Sequence, residues 1–320
     1  MAAVVQNSVS HIKRGPTRTV SVRDLVLAAF LPIQFLVSWC LPERLWFSAV
    51  RMFEPLAAYL YVRGGRRQVE NTIRSFLGTH ADAELPHSIV KELALDELIS
   101  YLQIFRDYRP GRWQPKMKLN GAHHLDAALE QGKGAILWVA YAHGAKLTAK
   151  LAIHQAGYAV SHLSRPRHGL SPTRFGIRYL NKVQTIVEDR YIAERIMIRD
   201  GEFQKAVRSL HARLRANKVV SITVHREATR PTVVPFLHGR ISLADGACRL
   251  AYRTGAALLP IFTYRDGSGI PVVDIDPPIE MSQAETEEAS VHQAHLNYST
   301  RLETYVLAYP GQWRGWYLYS

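Results

Sequence analysis

The chain has 320 residues, of which 47% are hydrophobic, so it can bury a large core and is too apolar to be disordered. Lys and Arg outnumber Asp and Glu by 40 to 27, and the formal net charge of +13 favours anionic partners. The basic residues lack zinc-finger spacing, an RNP-like aromatic motif or a basic tail, so nucleic acid is not expected as a partner. Cys40 and Cys248 lie far apart, which argues against a disulfide framework and fits a reducing compartment.

The N-terminal region begins with basic residues between positions 13 and 23, followed by an apolar run at 24–41. Signal peptides share this order, but the run ends in a poor cleavage site, so we expect it to be retained. Its length is close to the 20 or so residues that cross a bilayer, and Pro32 would kink the helix. Residues 44–62 mix aromatic side chains with arginines, as interfacial helices do, although a buried amphipathic helix fits them too. We expect residues 1–62 to hold the chain at a membrane, with the basic flank on the cytoplasmic side.

Residues 63–320 are predicted to form an α/β domain with a largely parallel central sheet flanked by helices, because strand and helix patterns alternate. Two helices are expected first, at 66–80 and 87–106, and residues 110–115 form a boundary. The strands predicted after this boundary are 134–140, 158–164, 183–188, 218–224, 257–264 and 272–276. The helices predicted between and after them are 144–156, 172–181, 202–216, 243–254 and 283–308.

His143 is the candidate general base. It directly follows the predicted strand 134–140, and an open α/β sheet places its active groups at the carboxyl ends of strands. Gly144 leaves space beside the imidazole. A neutral imidazole at this place could take a proton from a substrate hydroxyl or amine, although an ordinary histidine at a strand–helix junction would look the same.

Four sequence blocks, in the same order, resemble the lipid A lauroyl/myristoyl acyltransferase family, whose fold is similar to that of lysophospholipid acyltransferases. The blocks are N-T-I-R-S-F at 71–76, G-A-I-L-W-V-A-Y-A-H-G-A-K-L at 134–147, the stretch 233–267 that begins V-V-P-F-L-H-G-R, and Y-P-G-Q-W-R-G-W at 309–316. The resemblance covers roughly residues 20–318. It implies an acyltransferase at the cytoplasmic face of the bacterial inner membrane, within lipid A or lipopolysaccharide biosynthesis.

The chain departs from the family at its H-x4-D/E motif, because Thr148 stands where the acid is expected. A carboxylate there would orient His143 and stabilise its imidazolium, whereas threonine offers one hydrogen bond and no charge. Nearby Lys146 and Lys150 would lower the pKa of His143. We expect another carboxylate to take over, and Glu227 is the first choice because it follows the strand 218–224 at the same rim. A solvent-exposed turn is the alternative for Glu227.

Basic residues near this rim are expected to bind the phosphate groups of the substrates, because arginine offers a planar bidentate donor. The candidates are Arg165, Arg167, His225, Arg226, Arg240 and Lys146. His123, His124, His162 and His168 lack metal-ligand spacing with carboxylates, so we expect no metal, and without a P-loop or a G-x-G-x-x-G turn we expect no cofactor.

The leading hypothesis is transfer of a fatty acyl group from acyl carrier protein or acyl-CoA to a hydroxyl or amine of a lipid acceptor. His143 would act as base, and no covalent enzyme intermediate is implied. The missing motif acid leaves two alternatives: a non-catalytic relative that binds lipid or acyl carrier, and a transferase of a different acyl group, such as an aminoacyl unit.

Overall fold

The computed structural model describes residues 18–62, 65–78, 82, 84–199, 201–224, 231–282 and 286–319. The described strands are β1 (Lys118–Asn120), β2 (Ala135–Val139), β3 (Val160–Ser164), β4 (Glu194–Met197), β5 (Val219–Thr223), β6 (Pro231–Phe236), β7 (Gly239–Ala244), β8 (Ala257–Arg265) and β9 (Pro271–Ile275). The described α-helices are α1 (Val22–Cys40), α2 (Trp46–Arg51), α3 (Glu54–Tyr61), α4 (Arg66–Leu77), α5 (Leu85–Asp107), α6 (Ala122–Glu130), α7 (Thr148–Gln155), α8 (Asn181–Glu188), α9 (Phe203–Arg215), α10 (Gly246–Thr254), α11 (Glu287–Ala308) and α12 (Trp316–Tyr319).

Seven of these strands form one sheet in the order β1-β9-β8-β2-β5-β3-β4. The strands β8, β2, β5, β3 and β4 pair in parallel, β9 is antiparallel to β8, and β1 pairs in parallel with β9. All five residues of β2 are buried, as expected for a central strand covered on both faces. The predicted α/β fold with a largely parallel sheet is therefore confirmed.

Helix α5 is the longest described helix, and most of its residues are buried. It contacts α1, α2, α3, α4 and α8, as well as the segment near residue 311. A helix surrounded in this way shows apolar residues on all sides, yet Asp96 and Glu97 lie buried in its middle. Buried carboxylates at this position require charged partners, which places a polar centre inside the core.

Helix α1 buries the polar side chains of Asp24, Gln34 and Ser38 together with Leu27 and Phe30, and its outward face is apolar. Asp24 accepts a hydrogen bond from Thr173 Oγ1 at 2.8 Å, and Ser38 Oγ donates to the carbonyl of Leu102 at 2.8 Å. In contrast, α1 exposes large apolar side chains, namely Val22, Leu25, Ile33, Leu36 and Trp39. Among the described helices, α1 is long and apolar enough to be a candidate membrane segment by length and composition.

One predicted strand is wrong, because residues 183–188 belong to helix α8. The β-branched residues of V-Q-T-I-V-E favour a strand, but burial follows a helical period: Gln184, Val187 and Glu188 are buried while Ile186 is exposed. Four strands were not predicted: β1, β4, and the two strands β6 and β7, which form a hairpin. The hairpin lies outside the main sheet, so its outer positions are polar or half-exposed and its pattern is weak.

Candidate active site

The loop that carries His143 leaves the central strand β2 and is held by the C-terminal segment of the chain. The backbone N–H of His143 donates to the carbonyl of Gln312 at 2.8 Å, and Ala142 forms an antiparallel bridge with Trp313. Thr263 Oγ1, on the neighbouring strand β8, donates to the carbonyl of His143. These contacts fix the backbone of His143 from two sides, so its imidazole has a defined position.

The carboxylate that contacts His143 comes from helix α5. Asp96 Oδ1 accepts a hydrogen bond from His143 Nδ1, and both side chains have no exposed surface. This contact puts the imidazole proton on Nδ1 and leaves Nε2 as a lone-pair acceptor. No described residue hydrogen-bonds to Nε2, although it is buried. The arrangement is that of a base held by an acid, with a second ring nitrogen that has no hydrogen-bond partner among the described residues.

Two arginines hold Asp96 in its charged form. Arg265 Nη2 lies 3.1 Å from Asp96 Oδ1, and Arg314 Nη2 lies 3.0 Å from Oδ2. Burial alone would raise the pKa of Asp96, but contact with His143 and the charges of Arg314 and Arg265 lower it below the usual value. Asp96 therefore stays ionised and can stabilise an imidazolium without taking its proton.

His143 itself is neutral near pH 7. Burial lowers the pKa of its imidazole and Arg265 acts in the same direction, while Asp96 partly opposes them. A neutral imidazole can accept a proton, and the adjacent carboxylate stabilises the charge that proton transfer creates. The pair can therefore act as a general base near neutral pH.

Thr148 forms no hydrogen bond with His143. It begins α7, it is fully buried, and its Oγ1 has no hydrogen-bond partner among the described residues. Its side chain packs against Gly144, where an added Cβ would lie 2.8 Å from Thr148 Cβ. Gly144 also has a φ of +70°, so a glycine suits this position for both reasons.

Lys146 and Lys150, which flank Thr148 in the sequence, point to other groups. Lys146 Nζ pairs with Glu97 and lies 4.0 Å from the centre of the Tyr101 ring. Lys150 Nζ donates to the carbonyl of Lys146 at 2.8 Å and thereby caps the turn before α7. Lys146 is thus part of an internal ion pair, and its predicted substrate contact stays a prediction.

The other predicted rim residues that the structure describes lie in two separate regions. Arg165 and Arg167 are exposed on the loop after β3. In the same loop, His168 Nε2 pairs with the buried Glu188 Oε1 at 2.9 Å and thereby holds the loop in place. Arg240 is exposed on β7, in the separate hairpin. His225, Arg226 and Glu227 lie outside the described residues, so their predicted roles stay predictions.

Asp96, Arg265 and Arg314 were not predicted from the sequence, yet each had a signal. Asp96 stands in an apolar helix, where a carboxylate needs a buried partner. Arg265 and Arg314 both stand in blocks that carry the family resemblance, the stretch 233–267 and the closing block Y-P-G-Q-W-R-G-W. In the structure, the side chain of Gln312, two positions before Arg314, accepts a hydrogen bond from the backbone N–H of Arg265 at 2.7 Å. Spacing in the sequence could not show that these residues meet at His143.

Within the described part of the chain, no group of three or more His, Cys, Asp or Glu side chains is arranged to hold a metal ion.

Sequence comparison finds similar proteins that are named as acyltransferases. The chain is 25% identical over 282 residues to a phosphatidylinositol mannoside acyltransferase from Mycobacterium tuberculosis (strain ATCC 25618 / H37Rv), covering 85% of this chain and 82% of that protein. It is 23% identical over 280 residues to the protein of the same name from Mycolicibacterium smegmatis, covering 85% and 84%. The match to the bacterial lipid A biosynthesis acyltransferase family runs over residues 18–317, and the chain belongs to this family.

Proposed function

We propose that this protein transfers a fatty acyl group from a thioester donor, acyl carrier protein or acyl-CoA, to a hydroxyl or amine of a lipid at the membrane, with His143 as the general base. The mycobacterial relatives are named as acyltransferases of phosphatidylinositol mannoside, which supports a lipid as the acceptor here. The observation that carries the proposal is the buried His143–Asp96 pair, in which no residue of the described part of the chain hydrogen-bonds to His143 Nε2.

The proposed reaction needs no covalent enzyme intermediate. His143 Nε2 takes the proton of the acceptor hydroxyl as its oxygen attacks the thioester carbonyl. The tetrahedral intermediate collapses, the carbon–sulfur bond breaks, and the thiolate takes the proton back from the imidazolium. An ester and a free thiol are the products, and the base is regenerated. An amine acceptor would give an amide by the same steps.

Asp96 supplies the charge that this cycle requires. The imidazolium exists only between the two proton transfers, and an ionised carboxylate on Nδ1 stabilises it during that time. Arg265 and Arg314 keep the carboxylate ionised, so they are positioning residues and not catalytic ones. The His143 ring has no exposed surface, so the proposal requires a segment that covers Nε2 to move when the substrates bind.

The non-catalytic alternative rested on the absent acid at position 148. A carboxylate does reach His143, from Asp96, which removes the main argument for that alternative. Transfer of an aminoacyl unit would use the same base and is distinguished only by the donor.

The membrane part of the proposal rests on the outward face of α1. This face carries large exposed apolar side chains, whereas the polar side chains of the helix are buried against the protein. Hydrogen bonds attach both ends of the α1 segment to the rest of the protein. The carbonyl of Thr19 accepts from the N–H of Phe175 at 2.9 Å, and Trp39 Nε1 donates to the carbonyl of Phe105 at 2.9 Å. We therefore propose that α1 lies in the membrane interface, on the cytoplasmic face of the inner membrane, and does not cross the bilayer.

The test compares His143→Ala with His154→Ala in the purified full chain. His154 lies on α7 and is exposed, so its loss controls for removal of an imidazole. We expect His143→Ala to lower acyl transfer by about 100- to 10,000-fold while the chain still folds, because this is the usual contribution of a general base. Each enzyme is given the same acyl chain on carrier protein and on CoA, which identifies the donor. Wild-type rates for His143→Ala with both donors would contradict the proposal.

A further inference from the structure

A basic cleft lies at the end of α5, away from the His143–Asp96 pair. It has a volume of about 370 Å³, and the charged side chains among its lining residues are Arg106, Arg109, Arg112 and Glu43. Cavities of this size hold small ligands or headgroups. Three arginines facing one carboxylate leave an excess of positive charge, so the cleft suits an anion.

The chain conformation directs the arginines to one place. Arg106 is in the last turn of α5. Arg109 comes three residues after it and Arg112 six residues after it, on either side of the turn at Pro110 and Gly111. Arg112 has a φ of +58°, a left-handed conformation that costs free energy for a residue with a Cβ. A cation at the C-terminal end of a helix complements the helix dipole, which accounts for Arg106. Arg112 lies beyond the turn, where it lines the cleft and also hydrogen-bonds to the side chain of Tyr191.

The carboxylate of Glu43 already has a hydrogen-bond partner outside the three arginines. Its carboxylate accepts a hydrogen bond from the indole N–H of Trp113. Burial lowers the pKa of Arg106, Glu43 opposes this effect, and the neighbouring charge of Arg109 adds to it. Additional negative charge in the cleft would relieve the repulsion between these arginines.

The position of the cleft indicates which kind of ligand would fit it. Arg106 donates to the carbonyl of Leu41, and Arg109 Nη1 lies 3.4 Å from the carbonyl of Trp39, so the cleft adjoins the C-terminal end of α1. The exposed side chains of Leu36 and Trp39 end the apolar face of α1 at this point. An amphiphile with apolar chains beside α1 and a negative group in the cleft would match both surfaces.

We propose that this cleft binds the phosphate of an anionic phospholipid headgroup at the membrane surface. Arginine suits a phosphate because its planar guanidinium donates two parallel hydrogen bonds. The inference rests on the proposed membrane contact of α1 and adds a headgroup preference that apolar contact alone does not give. The cleft then sets the depth and orientation of the protein on the bilayer.

The test measures binding of the full chain to vesicles of phosphatidylcholine alone and of phosphatidylcholine with phosphatidylglycerol. The variant is Arg109→Gln/Arg112→Gln, and the matched control is Arg208→Gln/Arg215→Gln, which removes two exposed charges from α9. A basic residue at an anionic surface contributes about fivefold in affinity. We expect the cleft variant to lose about 25-fold on phosphatidylglycerol vesicles and nothing on phosphatidylcholine, and the control to lose much less. Melting temperatures check that both variants fold.

Several outcomes would overturn the inference. Equal losses in both variants would assign the preference to diffuse charge, and an unchanged cleft variant would remove the cleft from lipid binding. A cleft variant that keeps its vesicle preference but raises KM for acyl carrier protein would make the cleft a carrier-docking site. If the wild type binds both vesicles equally, the headgroup site fails and the membrane contact stands. If it binds neither, both fail.

Discussion

At the residue scale, the proposed base and the carboxylate that contacts it come from different parts of the chain. The family motif places the acid five residues after the histidine, whereas here the carboxylate on His143 Nδ1 belongs to Asp96, 47 residues before it. The chemistry needs a negative charge at that nitrogen and does not depend on its origin in the sequence. With a carboxylate from α5, position 148 is relieved of that requirement, and a threonine there is compatible with a working base.

Changing Asp96 to Asn should alter the pH dependence as well as the rate. The neutral form of His143 is the active one, so kcat/KM falls as the pH drops through the pKa of His143. Burial lowers that pKa below its usual value near 6.5, so the acidic limb of the wild type lies below that value. Asp96 raises the pKa, and its loss should move the limb to still lower pH. The plateau should fall by up to about 10,000-fold, as in a serine-protease triad whose Asp becomes Asn.

The control for this experiment is Asp126→Asn, which removes an exposed carboxylate that accepts a hydrogen bond from Tyr158 at 2.6 Å. It should leave both the limb and the plateau unchanged. An Asp96→Asn enzyme with a lower plateau and an unmoved limb would indicate a merely structural role for Asp96.

Thr148→Val tests the threonine at the motif position. Its hydroxyl is buried without a partner among the described residues, so removing it relieves a desolvation cost and breaks no hydrogen bond. We expect the free energy of unfolding to change by no more than about 1 kcal/mol, in the stabilising direction, and kcat to stay within a few-fold. Denaturant titration and initial rates measure the two quantities. A loss of activity comparable to that of Asp96→Asn would show that Thr148 orients the imidazole or the substrate.

At the element scale, helix α1 shows what hydropathy in the sequence can and cannot tell. The apolar run at 24–41 predicted the helix, and α1 does occupy Val22–Cys40. The run contains three polar residues, Asp24, Gln34 and Ser38. They lie on one buried face, and their contacts with distant residues could not be derived from the run alone.

Replacing Ile33 and Leu36 by Glu tests the outward face of α1. Both side chains are exposed, so the double variant should fold with a nearly unchanged melting temperature. Its binding to phosphatidylcholine vesicles should fall by at least tenfold. Two apolar side chains that would insert into the membrane interface are lost, and two charges would have to enter it. Phe203→Glu, an exposed apolar residue on α9, is the control and should bind as the wild type does. Unchanged vesicle binding by the α1 variant would contradict the interfacial orientation.

At the scale of the whole molecule, the candidate site joins four distant segments: α5, the loop after β2, the end of β8 and the closing block. The sequence predicted the sheet and the place of His143, because strand patterns are local and the carboxyl end of a parallel strand is a known site position. It did not predict Asp96, because α5 precedes the sheet and nothing local indicates which face of the sheet it covers. The closing block could be recognised by its letters, but its role in holding His143 and Asp96 follows only from tertiary contacts.

The ion pairs of Arg314 should therefore couple the closing block to α5. Arg314 is fully buried, and it contacts Asp96 Oδ2 at 3.0 Å, Ser100 Oγ at 2.7 Å and Glu97 Oε1 at 2.9 Å. Arg314→Met leaves buried carboxylates with fewer partners and should lower the free energy of unfolding by about 3–5 kcal/mol. Arg253→Met, which breaks an exposed pair with Glu287, should cost less than about 1 kcal/mol.

In a double-mutant cycle of Arg314→Met with Asp96→Asn, the combined loss in the free energy of unfolding should be smaller than the sum of the single losses by about 0.5–3 kcal/mol. The reason is that the second change no longer leaves a buried charge without its partner. Additive losses, measured by urea denaturation, would mean that the closing block and α5 stabilise the fold independently and that Arg314 does not hold Asp96.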